Sequence, residues 1–167
     1  MNIKIELVKK DEKEILKNLL EKYNYEFSQY NGLDVNKIGL YGYDYFDNYW
    51  TEKDRYPFFI KVNSKLAGFI MVNNYPEIKL DTDYTLSELF IVYKYRRNGI
   101  GEYVVNYILN NYKGKWQLKY HPKNKISKIF WNKVIKNYTK GKYETVKNSK
   151  ESTYEDGTIG HIIIFES

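Results

Sequence analysis

Two arginines stand side by side at Arg96-Arg97 in a chain that holds only three, and glycines follow at Gly99 and Gly101. Lysine is the default cation elsewhere, so paired arginines here mark a site rather than a solvated surface. A strand-like run precedes this stretch and an amphipathic helix pattern follows it. Glycine lets the backbone come close to an anion, and the free N–H groups of a helix's first turn, with its dipole, point at one. The chemistry on offer is the binding of phosphate oxygens, with a diphosphate as the natural guest. Spacing excludes two nucleotide motifs. No Gly-Lys-Ser or Gly-Lys-Thr occurs, as a P-loop needs, and Val104 stands where a dinucleotide fingerprint has its third glycine. A tight turn without a ligand is the plain alternative for a lone Gly-x-Gly.

Other chemistries are excluded by absence. With no cysteine there is no disulfide framework, thiolate metal site or cysteine nucleophile. The two histidines, His121 and His161, do not suffice for a closed zinc site, and no calcium loop is present, so no metal is expected. Both histidines read as structural. Glu88 falls in a strand-like run and shares, on simple alternation, a face with Leu86, Phe90 and Val92. Burial there would raise its pKa toward that of a useful general base; the alternative is a surface or lysine-paired carboxylate. The net charge of +6 favours an anionic partner, but the lysines are spread along a chain dominated by Lys, Asn, Tyr and Ile, a compositional bias in itself.

These residues need elements to hold them. A length of 167 residues fits one domain, and the 43% hydrophobic share is that of a folded protein. No apolar run approaches the roughly 20 residues of a membrane helix, and the first residues do not resemble a signal peptide, so a cytoplasmic protein is expected. Residues 2 to 8 alternate as a strand. A helix is predicted from an Asp11 cap to about Tyr30, and a loop rich in aromatics with a short helix near Asp44 to Lys53. Strand-like runs at 58–62 and 66–72 flank a turn, which predicts a hairpin. Then come a strand over 84–93, a helix from Ile100 ending before Gly114, and a strand over 115–120. Residues 124 to 138 form a helix with two apolar faces, expected to be wedged between layers. Two strands, 142–148 and 158–166, follow around a turn at Glu155-Asp156-Gly157. The order is mixed α/β or α+β with a largely antiparallel sheet.

Arg96-x-x-Gly99-x-Gly101 after the strand Glu88 to Val92 resembles the GNAT superfamily of N-acetyltransferases, whose signature is Gln or Arg, two residues, Gly, one residue, then Gly or Ala. Downstream, Asn124, Ser127, Phe130, Trp131 and Lys133 match the spacing of that family's second helix motif, usually Asn-x-x-Ala-x-x-Phe-Tyr-x-Lys. The resemblance is specific over about Tyr56 to Tyr138. It implies a mixed, largely antiparallel sheet of about seven strands flanked by helices, with residues 1–167 as a single acetyl-CoA-dependent domain. It further implies that the backbone of Arg96, Arg97, Asn98, Gly99, Ile100 and Gly101, extending to Glu102, holds the pyrophosphate of acetyl-CoA. The strand edge at Ile91 and Val92 would pair with the pantetheine arm, with oxyanion stabilisation from an amide near either residue. Asn124 would bond the pantetheine or serve as an ordinary helix cap. Glu88 matches a frequent general-base position, and Trp131 stands where a tyrosine commonly protonates the leaving sulfur. An indole cannot give that proton, which leaves Tyr120 or Tyr138, unassisted departure, or lost activity.

The implied reaction is direct transfer of an acetyl group to a primary amine of a small molecule in a ternary complex. Neither nucleic acid nor membrane is an expected partner. The aromatic residues Tyr41, Tyr43, Tyr45, Phe46, Tyr49 and Trp50 read as core or a homodimer contact, with an acceptor pocket drawing an amine to Asp44 and Asp47 as the alternative. Two rival readings are a catalytically silent, regulatory CoA-binding domain and a basic binder of single-stranded nucleic acid.

Overall fold

A computed structural model describes all 167 residues. The chain begins with β1 (Ile3–Leu7), and a 3-10 turn then leads into α1 (Lys13–Asn31). The entry differs from the expected Asp11 cap: the Glu12 carboxylate instead accepts the Lys9 N–H at 3.2 Å. Leu16, Leu19 and Leu20, spaced to share one face, are buried, and Gly32 ends the helix at φ +69°. The aromatic segment carries one 3-10 stretch, Phe46–Trp50, inside the span expected to be helical.

Strands β2 (Tyr56–Val62) and β3 (Lys65–Asn73) form the predicted hairpin. Its two loop residues, Asn63 and Ser64, both have positive φ, as a tight hairpin turn of matching twist requires. After β4 (Tyr84–Ile91) come α2 (Ile100–Asn111), β5 (Lys115–Tyr120), α3 (Lys125–Thr139), β6 (Tyr143–Val146) and β7 (His161–Glu166). All seven strands join one sheet in the order β1-β2-β3-β4-β5-β7-β6, antiparallel except at β4–β5. The last two strands are not a simple hairpin. Residues 147–160 make a long excursion whose tip is the expected Glu155-Asp156-Gly157 turn, and β7 inserts between β5 and β6.

The sheet separates two apolar layers. On one face Val104, Val105 and Ile108 of α2 and Trp131, Val134 and Ile135 of α3 pack over Ile70, Leu86, Leu118 and Ile163. On the other, α1 lays its leucines over Phe59, Phe69, Met71 and Phe90. Contrary to expectation, α3 is not wedged between layers: Ile126 and Ile129 are 74% and 69% exposed, and its buried residues Trp131, Val134 and Ile135 all belong to the one layer over the sheet. No helix is long and apolar enough to cross a membrane.

Two irregularities shape the centre of the sheet. The β3–β4 register shifts between Met71↔Glu88 and Val72↔Leu86, so Ser87 is an extra residue in β4. The parallel β4–β5 ladder holds only Tyr84↔Trp116, Thr85↔Gln117 and Leu86↔Leu118, beyond which the strands part.

Candidate active site

The parting of β4 and β5 opens a cleft of about 1910 Å³ that runs from α1 and the aromatic loop, across the sheet, to the start of α2 and the side of α3. At one end lies the glycine-containing turn. The chain alternates hand here, with Arg97 at φ +60° and Gly99 at φ +75°, which turns successive amides toward one concavity. The amides of Arg97 through Glu102 have neither a backbone nor a side-chain acceptor, whereas the Arg96 N–H is bound to the Tyr93 carbonyl at 3.1 Å. A run of free donors at a helix N-terminus is an anion cradle, and these groups fit a diphosphate. Gly101 lies close against α3: a Cβ there would sit 3.1 Å from the Phe130 ring, which would have to give by a few tenths of an ångström.

Arg96 is a correction to the expected set of ligands. Its amide is occupied, and its guanidinium grips both oxygens of Glu26 on α1, at 2.7 and 2.6 Å, while Nε donates to the Ile91 carbonyl at 2.6 Å. The guanidinium also lies 4.0 Å from the centre of the Tyr93 ring. So engaged, Arg96 shapes the turn and ties it to α1, and the anion is left to the backbone. Arg97 and Asn98 contribute their free amides to the cradle.

Within β4 the direction of the N–H groups decides which residues face the gap. The Val92 amide donates to Ala67 of β3 at 2.8 Å. Val92 is therefore not the strand edge expected from sequence, and by antiparallel alternation it is Leu89 and Ile91 that turn their N–H groups toward the unpaired side. Gly68, opposite Ile91, lets the strands approach so closely that a Cβ there would lie 2.0 Å from the Phe90 carbonyl oxygen.

Glu88 lies on the other face from Leu86, which corrects the alternation inferred from sequence. The extra residue at Ser87 reverses the parity, placing Leu86 in the α2–α3 layer and Glu88 with Phe90 toward α1. There Glu88 borders the cleft and accepts a hydrogen bond from Tyr43 Oη at 3.1 Å. Burial raises its pKa to about 7, against the opposing effect of hydrogen bonds from Tyr23 and Tyr43. Burial, reinforced by the Glu88 charge, raises both tyrosines well above the ordinary phenol. A carboxylate poised near neutrality can accept a proton from a bound amine. The aromatic loop is placed to deliver Tyr43: Glu21 of α1 accepts the amides of Tyr41 and Gly42, each at 2.8 Å. Nothing short of the fold reveals this Tyr43–Glu88 pair, 45 residues apart. Of the aromatic cluster, Tyr41, Tyr43, Tyr45 and Tyr49 border the cleft, whereas Phe46 and Trp50 meet edge-on. Asp44 borders the cleft and Asp47 instead pairs with Lys13 at 2.8 Å.

On the α3 side, Asn124 Oδ1 accepts the Ser127 N–H at 2.9 Å, a helix cap, and the nitrogen of the same amide has no protein partner beside the cleft. Trp131 borders the cleft with its ring edge-on to Phe130, the centroids 4.8 Å apart. Tyr120 also borders it, but Tyr138 does not. The Tyr138 hydroxyl is bonded to the Leu109 carbonyl and to Asn110, each at 3.0 Å, which removes it as a proton donor to a guest in the cleft. His121 borders the cleft, yet both ring nitrogens are engaged, Nδ1 accepting from the Lys123 amide and Nε2 facing Asp156 at 3.3 Å. No group of three or more potential metal ligands is gathered anywhere.

The same architecture is found in solved structures. An acetyltransferase from Thermus thermophilus superposes with a TM-score of 0.71 at 14% identity, covering 100% of this chain and 98% of that one. The PaiA N-acetyltransferase from Thermoplasma acidophilum, in complex with coenzyme A, gives 0.58 at 15% identity, with 100% of each chain covered. Diaminobutyrate acetyltransferase EctA from Paenibacillus lautus, in complex with L-2,4-diaminobutyric acid and coenzyme A, gives 0.59 at 13% identity, covering 99% of this chain and 95% of that one. At these identities the likeness is one of fold. No curated protein matches the chain in sequence. The model of the acetyltransferase (GNAT) family matches residues 16–134, a span that contains most of α1, the bulged β4, the amide cradle and Trp131. This chain belongs to the GNAT family of acetyltransferases.

Proposed function

We propose that this acetyltransferase is an N-acetyltransferase that moves an acetyl group directly from acetyl-CoA to a primary amine, both bound at once in the cleft. The observation that carries the reading is Glu88, a carboxylate raised to about 7 beside the gap between β4 and β5, on the face opposite the amide cradle's helix layer. Acetyl-CoA, when bound, supplies an acyl group activated as a thioester. The amides of Arg97 to Glu102 hold its diphosphate, Leu89 and Ile91 offer N–H groups along the gap, and Asn124 offers its free amide nitrogen. On the α1 side Glu88 receives the proton of the incoming amine.

Charge on the acceptor side supports a cationic small molecule. Arg55 is paired with Glu52 and Lys119 with Glu77, each at 2.7 Å, and His121 is turned to Asp156, so none of these cations is free to hold a carboxylate. Asp34, Asp44 and Glu155 border the cleft without ion-pair partners. The test is calorimetric titration of acetyl-CoA, paired with a free-thiol assay over amines that do and do not carry a carboxylate. Binding with thiol release on amines lacking a carboxylate is expected. Binding without release on any amine would leave a silent CoA-binding domain, and no binding would remove the reading.

A further inference from the structure

The bulge in β4 re-aims a second polar side chain besides Glu88. In an unbroken strand consecutive side chains point to opposite faces, but the extra residue leaves Ser87 and Glu88 on the same one. Leu86 lies in the α2–α3 layer, whereas Ser87 Oγ is bonded to Asn73 and, through it, linked to Tyr49, which packs against α1. A hydroxyl and a carboxylate thus stand side by side on the α1 side of the cleft, and both residues border it.

The hydrogen atoms of this group can be counted. The Tyr75 N–H donates to Asn73 Oδ1 at 2.9 Å, and because a backbone N–H only donates, it fixes which end of the amide is oxygen. Asn73 Nδ2 then gives its two hydrogens to Ser87 Oγ at 2.6 Å and to Tyr49 Oη at 3.2 Å. Both hydroxyls are acceptors toward Asn73, so each keeps a proton of its own. Tyr49 is 4% exposed, burial holds its phenol above the ordinary range, and the Arg55 guanidinium lies 5.3 Å from the centre of its ring. It is a protonated and fixed neighbour. Even with one hydroxyl donating to the other, one proton is left over, and it does not go to Glu88, whose hydrogen bonds come from Tyr23 and Tyr43. Ser87 is half-buried in the cleft wall, next to the carboxylate, and is where that donor meets a guest.

The wall therefore sets a neutral hydrogen-bond donor beside the acceptor Glu88. The complementary guest carries an amine and, a few bonds away, an oxygen that accepts a hydrogen bond. That oxygen is neutral. Arg55 is paired with Glu52 and Lys119 with Glu77, each at 2.7 Å, which leaves no free cation nearby, and a lone hydroxyl does not offset the desolvation of a carboxylate. We infer that Ser87 is a specificity-determining residue whose O–H reads a neutral oxygen on the acceptor, so that the acceptor is an amine carrying a hydroxyl or ether oxygen close to its reacting nitrogen. The inference rests on the N-acetyltransferase reading and narrows it. An alkylamine of the same length is disfavoured because its methylene strips water from Ser87 and leaves the O–H unpaired.

The experiment compares kcat/KM per free amine for ethanolamine and its methyl ether against propylamine and butylamine, which match them in length. Thiol release at saturating acetyl-CoA is followed in the wild type, Ser87→Ala and Ser87→Thr. In the wild type each oxygenated amine is expected to exceed its alkyl counterpart by about tenfold, the discrimination one neutral hydrogen bond supplies. Ser87→Ala is expected to bring both ratios within about twofold of one, and Ser87→Thr, which keeps the hydroxyl, to restore them. Ratios near one in the wild type overturn the inference without any variant, so poor folding of Ser87→Ala does not shelter it. A preference that survives Ser87→Ala overturns it too, assigning the donor to Tyr49. An ether no better than butylamine overturns it as well, because the hydroxyl of ethanolamine is then read as a donor. Failure to acetylate any amine sinks the N-acetyltransferase reading and this inference together, whereas acetylation of propylamine as readily as ethanolamine sinks this inference alone.

Discussion

Glu88 combines two demands that oppose each other: it must be surrounded closely enough to hold its proton near neutral pH, yet remain open to the cleft. Burial supplies the first, and phenol hydrogen bonds limit it. Because the folded pKa, about 7, lies above the ordinary carboxyl value of 4.5, the folded state binds more protons than the unfolded one between those values. Stability therefore falls as pH rises through that window and the full penalty is present above it. Glu88→Gln lacks this term, so the variant is expected to melt above the wild type at pH 8, by on the order of 2 to 3 kcal/mol, and to converge with it near pH 4. In the same protein the rate should rise with pH through about 7 in the wild type. The variant should be slower by about 100-fold at pH 7 and lose that limb, recovering as the free amine deprotonates unaided. Equal pH–rate profiles would strip Glu88 of the role of base. At this scale the sequence grouped Glu88 with Leu86, which the fold places on the opposite face. Alternation along a strand is legible only while the pleat is unbroken, and nothing in Leu86-Ser87-Glu88 announces an extra residue.

The cradle between β4 and α2 is the most legible element of the chain because its chemistry is local. Spacing of glycines, the positive φ at Gly99 and the first turn of a helix are all contained in a few residues, so the strand–turn–helix geometry at Arg96 to Gly101 could be read before any fold was known. A Cβ at Gly99 meets nothing within 4 Å, and the strain of φ +75° is the only structural cost of a side chain there, about 1 kcal/mol. Gly99→Glu therefore should stay folded, with a melting point within a few degrees of the wild type, while its carboxylate occupies the space of the anion and lowers CoA affinity more than 100-fold. Unchanged affinity in calorimetry would separate the cradle from the phosphate. What spacing did not convey was the division of labour inside the motif, with the amides from Arg97 onward open and the Arg96 side chain turned away to α1. It also missed the solvent-facing side of α3, since Ile126 and Ile129 have the period of a buried stripe and nothing packed over them.

Across the whole molecule, the Arg96–Glu26 pair joins α1 to the turn that precedes α2, 70 residues apart in sequence. Glu26→Gln breaks the two-pronged grip without touching a free amide, so its expected effect is a rise of about tenfold in the acetyl-CoA KM with kcat changed less than about threefold. Steady-state kinetics with saturating acceptor measures both, and a KM equal to the wild type's would reduce the pair to surface decoration. Element order and sheet class were visible in the sequence because each hairpin and helix announces itself over ten or fifteen residues. The pairing of Glu26 with Arg96, of Tyr43 with Glu88, and the insertion of β7 between β5 and β6 were not, since each joins distant segments. That insertion bears on how the chain comes to be made. Strands β1 to β4 form a meander of neighbours that can assemble as soon as they leave the ribosome, but β5 has no antiparallel partner until β7, the last strand in chain order, arrives. The cleft lies along the seam between the early half and the late half, joined there by three residue pairs. Synthesis must therefore run through β7 before β5 gains its antiparallel partner and the far wall of the cleft is fixed in place.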